Sequence, residues 1–412
     1  MDWNKFIIGW LTGTFLVTVV AVDLGLGIPR GYLINVGQQY SFLAGAFLRG
    51  SPAFLDFPGS FVDIVYFGGR MYWHMGPLPA MLLVPGVWLF SFFGTFFFQG
   101  FLAAFLNALV WVMGYLLARI AGIRKYDSWW LAFAFCFASV YQQVMLNPST
   151  WYLAHGVTVF FGLAALLEFF SPTRRWWWMG MAMSLVFATR ATAGLGLVFF
   201  LVAIWGGSYK WRVKVRQTIE FLAPMVIVMV VLAGYNQVRF GSFEETGYTM
   251  TGNLTQQKYE LKTYGLFKLE NIPTNFYYYF INTVEPVRQE MKTAFGRTHV
   301  LRYPYVKVKN PGVSFFVLSP VFALIFLADR RKKVVRYGWL VMSCIMFALM
   351  TYYWHGWVQV GARYMLDLMP FAYILLLYVF GERKLTRGVK LLIVLSSVWD
   401  LALYMTVWGG RG

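Results

Sequence analysis

Residues 99–121 read QGFLAAFLNALVWVMGYLLARIA, a stretch in which Arg119 is the one charged side chain. An apolar run of roughly 17–25 residues is the length that crosses the ~30 Å hydrocarbon core of a bilayer as a helix. Comparable runs recur at about 6–27, 77–98, 128–146, 151–171, 177–206, 219–235, 311–328, 338–354, 364–381 and 391–408. The sequence therefore predicts an all-α polytopic membrane protein with about eleven transmembrane helices.

The composition agrees with that class. Of the 412 residues, 59% are hydrophobic and 13% are charged, an apolar fraction that a soluble chain of this size could not bury in one core. The net charge of +18 would indicate a nucleic-acid partner in a soluble protein. Here most basic residues lie in short loops between the runs, where cations set the orientation and meet anionic headgroups. We therefore predict the lipid bilayer as partner and no nucleic acid. An alternative role for some of these cations is to bind a phosphate.

Two long polar segments, 28–76 and 236–310, interrupt the pattern of runs. An even number of runs separates them, so both are predicted on one face, which is exoplasmic if the N-terminus is cytoplasmic. Most short-loop cations then fall on the cytoplasmic side, although Arg124, Lys125, Arg174 and Arg175 do not. The run 177–206 is also long enough to be a broken hairpin, which would change the parity. The predicted division is a catalytic transmembrane module at 1–235 that includes the first loop, a second exoplasmic loop at 236–310, and C-terminal transmembrane helices at 311–412.

The first polar segment contains an unusual gathering of polar and aromatic residues, SFVDIVYFGGRMYWHMGPLPA at 60–80. An interfacial amphipathic helix is predicted before it, over 36–48. A partly desolvated aspartate at the membrane boundary can act as a general base, so Asp63 is the first candidate and Asp56 the second. The alternative is structural: Asp56 caps a turn and Asp63 pairs with Arg70. The rings suited to stacking on a sugar are Tyr66, Tyr72 and Trp73, next to His74.

Two further stretches carry polar groups that could meet a substrate. Near the end of a predicted span, Arg239 stands close to Glu245, and an arginine there suits a lipid phosphate or reaches to headgroups. In the stretch 353–371, His355 and Gln359 are flanked by aromatics, as in sugar sites. Arg363 and Asp367 lie four residues apart in that stretch, a spacing that predicts an ion pair on a helix.

Arg190 falls inside the predicted run 177–206. A charge at that depth is costly, so it should face a phosphate or a carboxylate. His155 is predicted near the cytoplasmic end of its span, as a residue of helix packing. The chain has no glycine-rich phosphate loop, no Walker lysine and no nucleophile elbow, so an activated donor would arrive through the lipid.

Four segments resemble the GT-C superfamily of multi-span membrane glycosyltransferases, which includes protein O-mannosyltransferases and lipid A aminoarabinose transferases. They are FLAGAFLRGSPAFLDFPGSFVDIVYFGGRMYWHMGPLPAMLLVP at 42–85, ATRATAGLGLVFFLV at 188–202, YNQVRFGSFEETGY at 235–248 and GWVQVGARYMLDLMPF at 356–371. The order of spans and loops is similar as well. The resemblance implies an inverting transfer from a polyprenyl-phosphate-linked sugar to a hydroxyl of a glycan, lipid or protein, on the outer face of a bacterial or archaeal cytoplasmic membrane.

The resemblance also implies roles for individual residues. Asp63, or else Asp56, would deprotonate the acceptor. The candidates for binding the donor phosphate are Arg70, Arg239, Arg190 and Arg363. The candidates for binding the rest of the substrate are Asn35, Tyr66, Tyr72, Trp73, His74, Glu245, His355 and Gln359.

One departure from the resemblance concerns the position just after the first span. Many relatives have an acidic residue there, whereas this chain has Asn35 followed by Val36. Either the base has moved to Asp63 or Asp56, or the protein has lost activity. A flippase or carrier for a lipid-linked sugar and a non-catalytic assembly subunit are the alternatives. No cofactor and no metal ligands are predicted, and a divalent metal stays open because oligosaccharyltransferases of the superfamily use one.

Overall fold

The computed structural model describes residues 3–23, 37–59, 63–251, 259, 261, 263–294, 296–356, 358–381 and 383–408. Asn35 lies outside the described residues. The helices are α1 (Trp3–Asp23), α2 (Gln39–Leu48), α3 (Leu78–Ser91), α4 (Gln99–Ile120), α5 (Lys125–Phe137), α6 (Gln142–Leu146), α7 (Thr150–Phe170), α8 (Trp176–Thr189), α9 (Ala191–Gly194), α10 (Leu197–Trp205), α11 (Trp211–Phe240), α12 (Ile272–Phe276), α13 (Phe315–Leu318), α14 (Lys333–Thr351), α15 (Met369–Phe380) and α16 (Arg387–Trp408).

Short helical turns and two antiparallel hairpins complete the described chain. The 3₁₀ turns are Tyr248–Met250, Leu269–Asn271, Pro320–Leu327 and Arg363–Asp367, and a π-helical turn spans Tyr277–Ile281. One hairpin is β1 (Ile64–Phe67) with β2 (Arg70–Trp73), and the other is β3 (Glu285–Thr293) with β4 (Gly296–Lys307).

Five helices of the described residues, α4, α7, α11, α14 and α16, are long and apolar enough to cross a membrane. The chain is therefore a helical, multi-pass membrane protein, as the apolar runs predict, and the count of eleven spans stays a prediction. The run 128–146 is divided between α5 and α6, and the run 311–328 forms α13 and a 3₁₀ turn instead of one long helix. α11 continues to Phe240, past the predicted division at 235.

A buried polar network joins the starts of three helices at one face of the bundle, which we call the site face. The Gln99 side-chain amide donates to the carbonyl oxygens of Gly37 and Pro148, at 2.5 and 2.7 Å. The Thr150 hydroxyl donates to the Gln39 side chain at 2.6 Å. The helix predicted at 36–48 begins at Gln39. Because these bonds bury the polar side chains at its start, it packs inside the bundle instead of exposing a polar face.

The segment 77–98 does not cross the bundle once, which corrects the predicted topology. It leaves the site face as α3 and turns back after Ser91, so that Phe97 packs on Phe90 with ring centroids 4.9 Å apart. It ends at Gln99, on the site face again. The physical reason is that α3 ends after 14 residues, about 21 Å of helix, and the packing of Phe97 on Phe90 then directs the chain back toward the Gln99 network.

The segment 177–206 is a broken hairpin that turns at Arg190. A Cβ built on Gly194 would lie 3.3 Å from the Cα of Phe187, so α9 doubles back on α8. Phe221 of α11 contacts both arms of the hairpin, since its backbone meets Gly180 and its ring lies 5.5 Å from that of Phe200. Arg190 has extended backbone between α8 and α9 and forms the tip of the hairpin.

The two corrections cancel in the number of crossings between the two polar segments. They also move the four cations that the predicted topology left on the exoplasmic side to the other face. The starts of α5 and α8 now lie opposite the site face, together with Arg124, Lys125, Arg174 and Arg175. Lys390 pairs there with Asp127 at 3.3 Å, and Lys333 donates to the carbonyl oxygen of Gly206 at 3.0 Å. The short-loop cations thus concentrate on one face, which we call the basic face.

The apolar core lies around α5, where Phe135 contacts the rings of Tyr141, Phe322 and Tyr373. A second, smaller cluster packs α2, the β1–β2 hairpin and α3 against the first turns of α7. The loop before α3 joins this cluster to the tip of the α8–α9 hairpin, because Gly76 lies directly against the backbone of Ala188 and Thr189.

We expect Gly76→Ala to lower the thermal unfolding midpoint of the purified protein. A Cβ at position 76 would collide with the carbonyl group of Ala188, and backbone cannot move aside as a flexible side chain can. Overpacking of this kind typically costs about 1–3 kcal/mol. Gly234→Ala is the matched control, since a Cβ there meets nothing within 4 Å. Equal midpoints for the two variants would contradict this close packing.

Candidate active site

Asp63 lies at the base of the β1–β2 hairpin, half-buried and in the left-handed backbone region with φ +59°. Its carbonyl oxygen accepts a hydrogen bond from His74 Nδ1 at 2.8 Å, across the register that pairs Ile64 with Trp73. Its Oδ2 accepts a hydrogen bond from the indole Nε1 of Trp151 at 2.8 Å. The strained turn therefore holds the carboxylate against the first turn of α7.

His74 is buried beside this carboxylate, and burial lowers the pKa of its imidazole. A carbonyl oxygen can only accept, so Nδ1 carries the proton that bonds Asp63, which leaves Nε2 as an acceptor in the neutral ring. The ring stands edge-to-face with Tyr248, centroids 4.6 Å apart.

Arg190 and Asp367 form a bidentate ion pair at the tip of the α8–α9 hairpin. Nε and Nη2 of Arg190 donate to the two oxygens of Asp367, at 2.7 and 3.1 Å. The hydroxyl of Thr192 donates to the same carboxylate at 2.5 Å. A charge within an apolar bundle is tolerated when it is paired and hydrogen-bonded in this way. The carboxylate partner expected for Arg190 is therefore present.

The predicted ion pair between Arg363 and Asp367 is wrong. The two residues lie on a 3₁₀ turn, where side chains three apart coincide and side chains four apart point in different directions. The buried guanidinium of Arg363 lies instead over the rings of Tyr152 and Tyr364, 5.4 and 5.5 Å from their centroids. Within the described residues it has no carboxylate partner, and its Nε is buried without a hydrogen bond.

The first two turns of α7 bring these groups together. Trp151 bonds Asp63, and His155 Nδ1 lies 3.5 Å from Asp367 Oδ1. Trp151 and His155 are four residues apart, so their Cα atoms are separated by about 6 Å along the axis of α7. The prediction that His155 lies at the end of its span away from the first loop is thus wrong, because α7 begins at the site face.

Two tyrosine hydroxyls from the second polar segment approach the same cluster. Burial raises the pKa of Tyr248 to about 12, and the charged groups that act on it include Arg190, Asp63 and Asp367. Burial also raises the pKa of Tyr279, whose hydroxyl is buried without a hydrogen bond and is influenced by Asp367, Arg190 and Arg363. Tyr248 is therefore near both the Asp63 carboxylate and the Arg190–Asp367 pair.

Several predicted residues of the first loop lie outside this cluster. Asp56 forms an exposed ion pair with Arg49 at 2.6 Å, the kind of pair that contributes little to stability. Arg70 is exposed at the far end of the hairpin, opposite Phe67 and about 13 Å along the strand from Asp63. Tyr66 is 51% exposed near that end.

Three other predicted residues support the hairpin from behind. Arg239 donates from Nη1 to the Trp73 carbonyl oxygen and from Nη2 to Asn236, both at 2.6 Å. The Tyr72 ring packs edge-to-face on Phe240, 5.3 Å between centroids, and Trp73 is fully buried. Nη1 and Nη2 of Arg239 thus fix the hairpin on α11, while its Nε is buried without a hydrogen bond.

Glu245, His355 and Gln359 lie in loops of the site face. Glu245 accepts from the backbone of Gly247 at 2.6 Å and so shapes the turn that leads to Tyr248. His355 stacks parallel on Tyr278 at 4.3 Å, and burial lowers the pKa of its ring to about 4. Gln359 is buried, donates to the His355 carbonyl oxygen at 3.0 Å, and keeps its own amide oxygen without a hydrogen bond.

Sequence reasoning overlooked Trp151, Tyr248 and Tyr279 as members of the cluster and treated His155 as a packing residue. The stretch NPSTW at 147–151 is a helix-start signal. With the number of preceding spans known, it would have placed Trp151 at the end of the helix that meets the first loop. The tyrosines gave no signal, because 25 of them are distributed along the chain. Among the described residues no group of three His, Cys, Asp or Glu side chains is arranged to hold a metal.

Comparison with solved structures identifies the fold. The crystal structure of ArnT from Cupriavidus metallidurans bound to undecaprenyl phosphate is similar, with 13% identity and a TM-score of 0.51, over 92% of this chain and 61% of ArnT. The oligosaccharyltransferase AglB from Archaeoglobus fulgidus, in complex with an inhibitory peptide and a dolichol-phosphate, is similar with 13% identity and a TM-score of 0.50, over 99% of this chain and 56% of AglB. This chain thus spans about six tenths of the length of these proteins.

ArnT and AglB are both GT-C membrane glycosyltransferases, so the GT-C-like fold predicted for this chain is confirmed. No protein-family model and no curated protein sequence matches the chain.

We expect Asp367→Asn to lower the thermal unfolding midpoint strongly, because it leaves the Arg190 guanidinium without its counter-charge inside the bundle. Removing one partner of a buried ion pair typically costs about 3–5 kcal/mol. Asp329→Asn is the control, since Asp329 pairs with the exposed Arg331 and should leave the midpoint nearly unchanged. A similar, small shift in both variants would mean that water reaches the Arg190–Asp367 pair.

Proposed function

We propose that this protein is a membrane glycosyltransferase that moves a sugar from a polyprenyl-phosphate carrier to an acceptor hydroxyl, with inversion at the anomeric carbon. In this proposal Asp63 is the general base, and Arg363 with Arg190 binds the donor phosphate. The observation that carries it is that side chains in the first turns of α7 contact the Asp63 carboxylate, the buried Arg363 and the carboxylate partner of the largely buried Arg190, within a GT-C-like fold.

The environment of Asp63 suits a base that must be ready before the acceptor arrives. The indole of Trp151 occupies Oδ2, and the left-handed turn together with His74 fixes the backbone. The carboxylate takes the proton of the acceptor hydroxyl while the acceptor oxygen attacks the anomeric carbon. Positioning of this kind supplies much of the rate enhancement of a two-substrate reaction.

The leaving group in this proposal is the polyprenyl phosphate, which gains negative charge as its oxygen separates from the anomeric carbon. Arg363 has a buried guanidinium with no carboxylate partner among the described residues, which suits an anionic ligand. Asp367 engages Nε and Nη2 of Arg190, and no hydrogen bond engages Nη1 within the described part of the chain. The Tyr279 hydroxyl adds a further donor nearby. Charged donors fixed beforehand stabilise such a leaving group effectively.

We place the site face outside the cytoplasm. The supporting observation is the concentration of short-loop cations on the basic face, which in membrane proteins is the cytoplasmic one. A donor carried on a polyprenyl chain would then reach the site from the outer leaflet, and the reaction would build a glycan, glycolipid or glycoprotein of the cell envelope.

The acceptor would approach over the loops of the site face. Tyr278, His355 and Trp354 stack in series there, and aromatic faces of this kind bind sugar rings. The buried amide oxygen of Gln359 is an acceptor available to a hydroxyl group. Glu245 would act indirectly, through the turn that positions Tyr248.

We expect Asp63→Asn to lower transfer at least about 100-fold, because an amide cannot take the acceptor proton. The measurement is release of polyprenyl phosphate from a panel of radiolabelled polyprenyl-phosphate monosaccharides, with crude membrane glycan as acceptor. Asp56→Asn is the matched control, since it removes an exposed carboxylate of the same loop.

Full activity of Asp63→Asn with loss in Asp56→Asn would assign the base to Asp56 and contradict this mechanism. No release from any donor by the unmodified protein would favour a carrier or an inactive assembly subunit. An unchanged thermal unfolding midpoint in Asp63→Asn separates a chemical defect from misfolding.

We expect Arg363→Gln to lower kcat/KM for the donor about 100-fold, because a charge-assisted contact to the departing phosphate is lost. The midpoint of thermal unfolding should fall little, since removal of this guanidinium leaves no carboxylate of the described residues unpaired. Arg49→Gln, which removes an exposed cation, serves as the control. A change confined to acceptor kinetics would contradict a phosphate-binding role.

A further inference from the structure

The β3–β4 hairpin is exposed along most of its length. Ten of the twelve residues of β4 are exposed, and β3 is exposed from Arg288 to Lys292. An isolated two-stranded hairpin is at best marginally stable in water. A second surface that packs against this hairpin would therefore stabilise it.

In the outer part of the hairpin, where 288–292 pairs with 297–301, the strand register puts the charged residues on one side. Directly paired residues share a face, and successive pairs alternate between faces. The pairs Arg288–Leu301, Glu290–His299 and Lys292–Arg297 therefore share one face, which we call the cationic face. The intervening pairs Gln289–Val300 and Met291–Thr298 lie on the other face and carry no charge.

The charge of the cationic face is only partly compensated. Glu290 pairs with Arg297 at 3.1 Å. Arg288 and Lys292 are exposed and have no ion pair within the described residues. Because the register places them on the same face, this face carries two uncompensated positive charges. On the other face, Arg302 donates to the side chain of Gln289 at 2.6 Å.

The hairpin leaves the bundle where a membrane-spanning helix ends. The backbone N–H of Val308, just after β4, donates to Thr406 in the last turn of α16 at 3.4 Å. Beside this point the register shifts and β4 bulges, and the bulge exposes the rings of Tyr303 and Tyr305, 86% and 57% accessible. Tyrosine and basic side chains together are typical of the headgroup level of a bilayer.

We propose that the cationic face of the β3–β4 hairpin docks on the anionic phospholipid headgroups of the membrane that holds the bundle. Arg288 and Lys292 meet the lipid phosphates, and Tyr303 and Tyr305 enter the interface beside α16. The charge complementarity, the two uncompensated cations on one face and the continuity with the end of α16 each favour this occupant. The inference stands independently of the proposed reaction.

The experiment is hydrogen exchange of the backbone amides at 285–307 in the full-length protein reconstituted in nanodiscs. Exchange in discs of phosphatidylcholine with phosphatidylglycerol should be about fivefold slower or more than in discs of phosphatidylcholine alone, the effect of roughly one basic residue near an anionic surface. High salt should abolish the difference. The double variant Arg288→Gln/Lys292→Gln should lose it too.

Arg302→Gln is the matched control, because it removes one cation of the same hairpin from the opposite face and should keep the protection. Equal exchange in both kinds of disc would overturn the proposal. Protection that appears only when a soluble anionic polysaccharide is added to phosphatidylcholine discs would also overturn it, in favour of a polyanionic acceptor. Loss of protection in Arg302→Gln as severe as in the double variant would show that the two faces are not distinguished.

Discussion

The ion pair between Arg190 and Asp367 is the constraint on which the rest of the site depends. A guanidinium inside an apolar bundle has to keep its counter-charge, and here the two charges come from segments 177 residues apart in sequence. The pair therefore ties the tip of the α8–α9 hairpin to the 3₁₀ turn before α15. It also explains why α8 and α9 are interrupted, since an uninterrupted helix would carry Arg190 past the carboxylate instead of pointing it there from the tip of a turn.

The other parts of the site are fixed to this pair by short connections. Gly76 seats the first loop on the backbone beside Arg190, and α7 contacts Asp63 and Asp367 from adjacent turns. Arg239, from a third direction, holds the β1–β2 hairpin by the Trp73 carbonyl. The base proposed here and the cations proposed for the phosphate are thus parts of one rigid assembly, although their loops are far apart in sequence.

The class of protein could be predicted from the sequence because hydropathy reports the length of each apolar run, and the need of Arg190 for a partner followed from the cost of a buried charge. The parity of the spans could not be predicted. The run 77–98 is apolar enough to cross but turns back, and the run 177–206 crosses as two short helices, because tertiary contacts at Phe97 and Arg190 decide where each run bends. The wrong pairing of Arg363 arose from assuming α-helical spacing in what is a 3₁₀ turn, a choice that hydropathy does not report. Asp63 is a candidate base on the strength of its sequence neighbours, and that role stays a prediction. Trp151 was overlooked because its position depends on the parity of the spans.

The attachment of Asp63 and Asp367 to the same helix has a consequence for how this protein can vary. Trp151 and His155 lie on one side of α7 because four residues make slightly more than one turn. A single residue inserted or deleted between them would rotate one by about 100° relative to the other and separate the two halves of the cluster. A substitution between Trp151 and His155 leaves this spacing intact, whereas an insertion or deletion does not. Natural or engineered variation in chain length is therefore confined to the segments on either side of this stretch.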